Sequence, residues 1–300
     1  MNILITGGTG FIGSELCQRL IDENNNVIIL SRIPELVRFP LKGIELLSQL
    51  DSQLRLDIVI NLVGEGIADK RWCHQQKKRI IDSRIKITKQ LIDYFNFTKY
   101  KPKLFISASA IGYYGTSRSD LPVDETVSSD DSFSSQLCQQ WEAVALQAEL
   151  LGIRTCLLRF GIVIGKNGGA LSKMLPVFKV GLGGVVGQGD QWMSWIHLED
   201  LIEVIFTCRD NDSLRGPINV TAPYPQTNKQ FTKTLGNVLK RRTFLSIPSI
   251  IVKLLMGQMG TELLLSGKKV LPAKLLKAGY TFKYPVLEDA LKSVLDNKNK

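Results

Sequence analysis

The 300 residues suffice for one large α/β domain, or for one domain with a smaller companion. A composition of 44% hydrophobic and 22% charged residues excludes a disordered chain, and no uninterrupted apolar run reaches the roughly 18 residues of a membrane span. The net charge of +10 suits a ligand that carries phosphates, but no nucleic-acid motif accompanies it, so neither a nucleic-acid nor a membrane partner is expected.

Met1 leads directly into the short run Asn2–Ile5 with no basic leader or small-residue cleavage site, and a cytoplasmic location is the expectation. Ile3–Thr6 reads as a strand, followed by glycines and a helix from Phe11 to about Glu23 with apolar positions at Ile12, Leu16 and Leu20. Val27–Leu30, Asp57–Val63, Leu104–Ser107 and Arg154–Phe160 are further apolar runs of the kind buried on both faces of a parallel sheet. Helical patterns around Lys77–Phe95 and Gln136–Leu151 separate them. Strands alternating with helices imply βαβ units, hence an α/β fold with a doubly wound parallel sheet of Rossmann type. After Gly165 the chain becomes glycine-rich, and Trp195–Thr207 reads as a strand and helix returning to the first unit. The expected division is a dinucleotide-binding unit over 1–165, with 191–215 returning to it, and a smaller α/β unit made of 166–190 and 216–296. Ile247–Leu255, interrupted by Ser249 and Lys253, reads as an amphipathic or buried helix, and the Lys/Asn tail at 297–300 is expected to fray.

Five scattered cysteines, never closer than 18 residues apart, exclude a zinc knuckle or a CxxC pair, and only two histidines, His74 and His197, are present. No metal site is expected.

Gly7-Gly8-Thr9-Gly10-Phe11-Ile12-Gly13 falls between the first strand and the first helix, the context in which a G-x-x-G-x-x-G pattern carries meaning. Gly7 permits the tight turn, Gly10 leaves room for a diphosphate, and Gly13 lets helix pack on strand. The diphosphate then meets free N–H groups and the positive end of the helix dipole, so Thr9, Phe11 and Ile12 join the glycines as binding positions. The next strand ends in Ser31-Arg32 rather than in the acid that grips a ribose 2′-hydroxyl. A guanidinium and a hydroxyl there suit a 2′-phosphate, so NADP(H) is the expected cofactor.

These residues look like those of the extended short-chain dehydrogenase/reductases, which include nucleotide-sugar epimerases and dehydratases. Asn61–Glu65, Arg71-Trp72, Ser83-Arg84, Leu137–Glu142, Leu158–Gly165, Gly168–Leu171 and Gly187–His197 narrow the match. With Asn219–Pro223, Leu271–Leu275 and Gly279-Tyr280 they resemble, over essentially the whole chain, an atypical epimerase-like family related to bacterial YfcH proteins, with a C-terminal domain of unknown function. The resemblance implies that Leu62 and Val63 line the adenine-ribose side of the cofactor. It places Arg79 and Arg84 on the helix beside it and brings the Val163 backbone to the nicotinamide carboxamide. By the same analogy Lys173 and Met174 face the substrate, which the resemblance does not name.

Typical members of the superfamily use a Ser with a Tyr-x-x-x-Lys pair. The Ser position matches Ser109; counting from Glu142, the Tyr position falls at Ser134 and the Lys position at Cys138, so the dyad is absent. Ser109 and Tyr114 are the candidate catalytic residues that remain, and His197 is expected to make a structural hydrogen bond. Two readings stay open: an NADP(H)-dependent oxidoreductase or epimerase-like enzyme acting on a small-molecule substrate, and a non-catalytic NADP(H) sensor. Monomer and homodimer are both compatible with the sequence.

Overall fold

In chain order the first half runs β1 (Asn2–Thr6), α1 (Phe11–Asp22), β2 (Asn26–Leu30), β3 (Lys42–Ile44), β4 (Ile58–Asn61), α2 (His74–Phe97), β5 (Leu104–Ala110), α3 (Phe133–Ala145) and β6 (Arg154–Phe160). The second half continues with β7 (Ile162–Ile164), α4 (Gly169–Lys179), β8 (Gly184–Val186), β9 (Trp192–Met193), β10 (Trp195–His197), α5 (Leu198–Asp210), β11 (Gly216–Val220), β12 (Gln226–Thr227), α6 (Asn228–Leu239), β13 (Leu245–Ile247), α7 (Ser249–Leu263), α8 (Ala273–Lys277) and α9 (Leu287–Leu295). This computed structural model describes residues 1–296 apart from 52, 118 and 167, so the tail at 297–300 lies outside the described residues.

The central sheet has seven strands in the order β3-β2-β1-β4-β5-β6-β11, every neighbouring pair parallel. Continuous apolar runs form its middle because both faces are covered. Ile3, Ile5, Ile29, Ile60, Ile106 and Leu158 point to one face, against α1 and α5; Leu4, Ile28, Val59, Phe105 and Leu157 point to the other, against α2 and α3. The doubly wound arrangement expected from the sequence is the one observed.

One strand lies elsewhere than expected. Gly216–Val220, assigned from sequence to the smaller unit, is the seventh strand of the main sheet, paired along β6 from Gly216↔Cys156 to Val220↔Phe160. The cluster of prolines that begins at Pro217 disguised it. An edge strand tolerates a residue without an N–H, and Ile218 and Val220 are fully buried there. Beyond the sheet, α4, α6 and α9 enclose a second apolar cluster of Leu171, Phe178, Phe231, Leu235, Leu287 and Leu291, joined by Trp195.

His197 caps α5. Its Nδ1 accepts from the Glu199 N–H at 3.2 Å, which leaves the proton on Nε2 facing Ser293 Oγ at 3.1 Å. Tyr284 packs on the imidazole, and burial pulls its pKa down to about 4, so the ring is neutral. The role is structural, as the sequence suggested.

Candidate functional site

The strand order reverses between β1 and β4, and a crevice opens beyond their C-terminal ends, the usual ligand position in an open α/β sheet. Gly7 turns the chain there at φ +72°, and a Cβ on it would stand 2.8 Å from the Leu62 carbonyl oxygen. A Cβ on Gly13 would fall 2.2 Å from the Gly7 oxygen, so only glycine lets α1 begin this close to β1. Gly10 is the N-cap, with no side chain capping the helix, which leaves first-turn N–H groups directed at the crevice. This cradle fits a diphosphate. Thr9 is exposed at its rim. The Phe11 ring points away and fills a slot under the later glycines: a Cβ on Gly165, Gly168 or Gly169 would come within 2.8, 2.1 or 3.1 Å of it. Those glycines accommodate an aromatic ring rather than a second phosphate. At the tip of β2, Ser31 Oγ accepts from the Ile33 N–H at 3.1 Å, and Arg32 is exposed, without an acidic partner among the described residues.

From this crevice a cleft of about 400 Å³ runs across the sheet. Ile12, Leu62, Val63 and Arg84 line its end beside the glycine turn, Ala108–Gly112 its floor, and Gln191–Ser194 with Glu262–Leu264 and Ser266–Lys268 its far wall. Arg84 is fixed by donation to the carbonyls of Ile80 (3.1 Å) and Glu65 (3.0 Å), and it stands over the Trp141 ring. Burial lowers its pKa from the ordinary value. Arg79, five residues earlier and therefore about 140° around the helix, is exposed and does not line the cleft. Val163 follows directly on the lining segment Phe160–Ile162 and is half-buried. Lys173 pairs with Asp69 at the surface and Met174 joins the second apolar cluster, so neither lines the cleft.

Ser109 sits at the end of β5 on the cleft floor and donates to Glu142 Oε1 at 2.6 Å. Glu142 is almost fully buried and is gripped by Arg159 through Nε (2.8 Å) and Nη2 (2.7 Å). Burial opposes the guanidinium charge, but the Glu142 contacts outweigh it and raise the Arg159 pKa. Arg159 also stacks on Tyr113 and donates to the Tyr114 hydroxyl at 2.9 Å, which in turn donates to Asn219 Oδ1 at 2.7 Å. Tyr114 is thus held behind the floor rather than on it, and burial pushes its pKa up to about 12. Of the two candidate catalytic hydroxyls, the geometry brings Ser109 into the cleft and leaves Tyr114 outside it.

At the position matched to the absent tyrosine, Ser134 does line the cleft. Its N–H and Oγ both donate to Glu262 Oε2, at 2.9 and 2.7 Å, and Phe133 N–H donates to Oε1 at 3.2 Å. A carboxylate from α7 therefore closes the first turn of α3, where the helix dipole favours negative charge. Cys138, at the lysine position, is buried beneath, and burial raises its thiol to about 11. Sequence reasoning did not single out Glu262 or Lys268, which approach the cleft only because α7 and the segment after it fold back. It did not reach the Glu142–Arg159 pair either, although a lone charge inside the apolar run Leu157–Phe160 was a signal of a buried partner.

The family model described as the NAD dependent epimerase/dehydratase family matches residues 3–221, and that of a domain of unknown function, DUF1731, matches 247–294. "Epimerase family protein SDR39U1 homolog, chloroplastic" of Arabidopsis thaliana is 38% identical over 305 residues, 98% of this chain and 87% of that protein. "Epimerase family protein YfhF" of Bacillus subtilis is 37% identical over 303 residues, 99% of each. The structure of human epimerase family protein SDR39U1 (isoform 2) with NADPH superposes with a TM-score of 0.88 at 33% identity, covering 99% of this chain and 100% of that one. With seven parallel strands in the reversing order, a side-chain-free helix start at the reversal, and a family model matched over most of its length, this chain belongs to the NAD dependent epimerase/dehydratase family.

Proposed function

We propose that this chain is an NADP(H)-dependent oxidoreductase of the epimerase/dehydratase kind, acting on a small substrate that carries a hydroxyl or carbonyl. The observation that carries the reading is one cleft that runs from Ile12, Leu62 and Val63, the last two packed against Gly7, to Ser109 and on to the far wall. The first-turn N–H groups of α1 would hold the diphosphate, Ser31 and Arg32 the 2′-phosphate, Leu62 and Val63 the adenine-ribose side, and the Val163 backbone the carboxamide. When bound, the nicotinamide supplies hydride transfer, and protons are left to the chain. Ser109 Oγ donates its hydrogen bond to Glu142, which turns its lone pairs toward the cleft to accept a hydrogen bond from a substrate hydroxyl and position it. Ser134, backed by Glu262, is a second hydroxyl–carboxylate pair lining the same cleft.

Two measurements test this. Arg32→Ala is expected to weaken NADPH binding about 10- to 100-fold in a fluorescence titration and to leave NADH unchanged, since a charged hydrogen bond is worth about 1.5–3 kcal/mol. Equal weakening of both would refute the 2′-phosphate assignment. Ser109→Ala is expected to lower NADPH turnover with an active metabolite fraction about 100-fold at unaltered NADPH affinity, whereas Tyr114→Phe retains turnover.

The sensor reading has one observation in its favour: the hydroxyl at the tyrosine position is already engaged by Glu262. Tight NADPH binding with no turnover by any metabolite pool would select it.

A further inference from the structure

Outside the main sheet, β13 and the first turns of α7 carry apolar side chains that nothing among the described residues covers. All three residues of β13 are exposed, and in α7 as far as Leu255 only Val252 is buried. Ile250 and Leu254, 61% and 69% exposed, stand one turn apart, and Ile251 and Leu255 form the adjoining row. The rows make one stripe facing water, opposite Val252. Phe244 and Leu182, just before the paired strands β13 and β8, are also exposed. Beyond Gly257, at φ +59°, α7 changes direction and Met259 and Gly260 are buried, so the exposed turns are the outer half of a helix anchored at its other end.

The charge along the segment that carries this stripe has one sign. Between Asp212 and Glu262 the chain contains no Asp or Glu, while Lys240, Arg241, Arg242 and Lys253 are all exposed. The acid that ends the segment, Glu262, is engaged at the start of α3. A second copy seated here by two-fold symmetry would bring these cations face to face. Flexible aliphatic side chains without a polar atom, on a segment whose exposed charges are lysine and arginine, instead match an interface that is apolar within and anionic at its surface.

We propose that residues 240–255 dock this protein on an anionic lipid bilayer, with Ile250, Ile251, Leu254 and Leu255 entering below the head groups and Lys240, Arg241, Arg242 and Lys253 facing the phosphates. The sequence-based expectation of no membrane partner asked only for spanning runs; no helix among the described residues is long and apolar enough to cross a membrane, and lying on one is a different requirement. The proposal is independent of the reaction the cleft performs.

The test is co-sedimentation of the full-length protein with vesicles of phosphatidylcholine alone and of phosphatidylcholine mixed with phosphatidylglycerol. Binding is expected only to the mixed vesicles, weakening as salt is raised. The double variant I250S/L254S is expected to bind about tenfold more weakly or worse at an unchanged thermal transition, and R241E/R242E likewise. If the first variant failed to fold, the second would still decide. The proposal is overturned by absence of binding to mixed vesicles, by equal binding to both compositions, or by undiminished binding of both variants. It is also overturned by a dimer in solution that I250S/L254S converts to monomer, which would assign the stripe to a second copy.

Discussion

Arg159 is 2% exposed, and its charge is tolerable in the sheet because Glu142 answers it with both oxygens. Removing one member leaves the other buried and uncompensated. Glu142→Ala is therefore expected to cost about 3–5 kcal/mol of unfolding free energy in urea, and the double change Glu142→Leu, Arg159→Met markedly less than the two single losses combined. Additive losses would show that the pair is not coupled. The pair was illegible in the sequence because seventeen positions separate its members and only the packing of α3 on β6 brings them together. Gly7 and Gly13 were legible for the opposite reason: their task is local, closing a strand onto the helix that follows, and spacing alone encodes it. Tyr114 lay between these cases. Its distance from Ser109 in sequence suggested a shared cleft, but the turn after β5 directs its ring behind the strand, toward Asn219.

Among elements, α5 shows how a helix start can couple to pH. Burial depresses the His197 pKa from 6.5 to about 4, so between those values the unfolded chain takes up a proton that the folded chain refuses. The contribution of this group is fully present above about pH 6.5 and is lost as pH falls toward 4, by about 2 kcal/mol at about pH 5. His197→Asn keeps an acceptor for the Glu199 N–H and does not titrate. Its unfolding free energy is expected to fall less than that of the parent between neutral pH and about pH 5, measured in urea; parallel declines would count against this account. α7 teaches the limits of pattern at this scale. Its run Ile247–Leu255 read as an amphipathic or buried helix, and periodicity could not tell a face turned to the core from one turned to water. That distinction is made by β8 and α6, which carry β13 and the start of α7 to the outside.

At the scale of the whole molecule, the alternation of apolar strands and helices was enough to give the sheet and its reversal point, because burial on both faces leaves a continuous signature. The part of the far wall that follows α7 was not legible residue by residue, since it is built by a return segment without regular periodicity. This return ties the parts together: Ser194 Oγ donates to the Lys268 carbonyl and accepts from the Val270 N–H, and Val123 bridges to Val270. Far-UV circular dichroism and the fluorescence of Trp72, Trp141, Trp192 and Trp195 are therefore expected to report one coincident urea transition, and two separated transitions would show independently folding parts. The placement of Gly216–Val220 at the border of the sheet has a further effect on how the molecule behaves in company. Pro217 removes one donor from the outer row of that strand, and α8 lies beside it, with Lys274 reaching the Arg215 carbonyl. At the opposite border β3 spans only three residues, and the turn at Pro34–Leu36 crowds Gly43. Neither margin offers a long open ladder to a stranger's backbone, so a concentrated solution of the folded protein has little means of growing fibrils by strand addition.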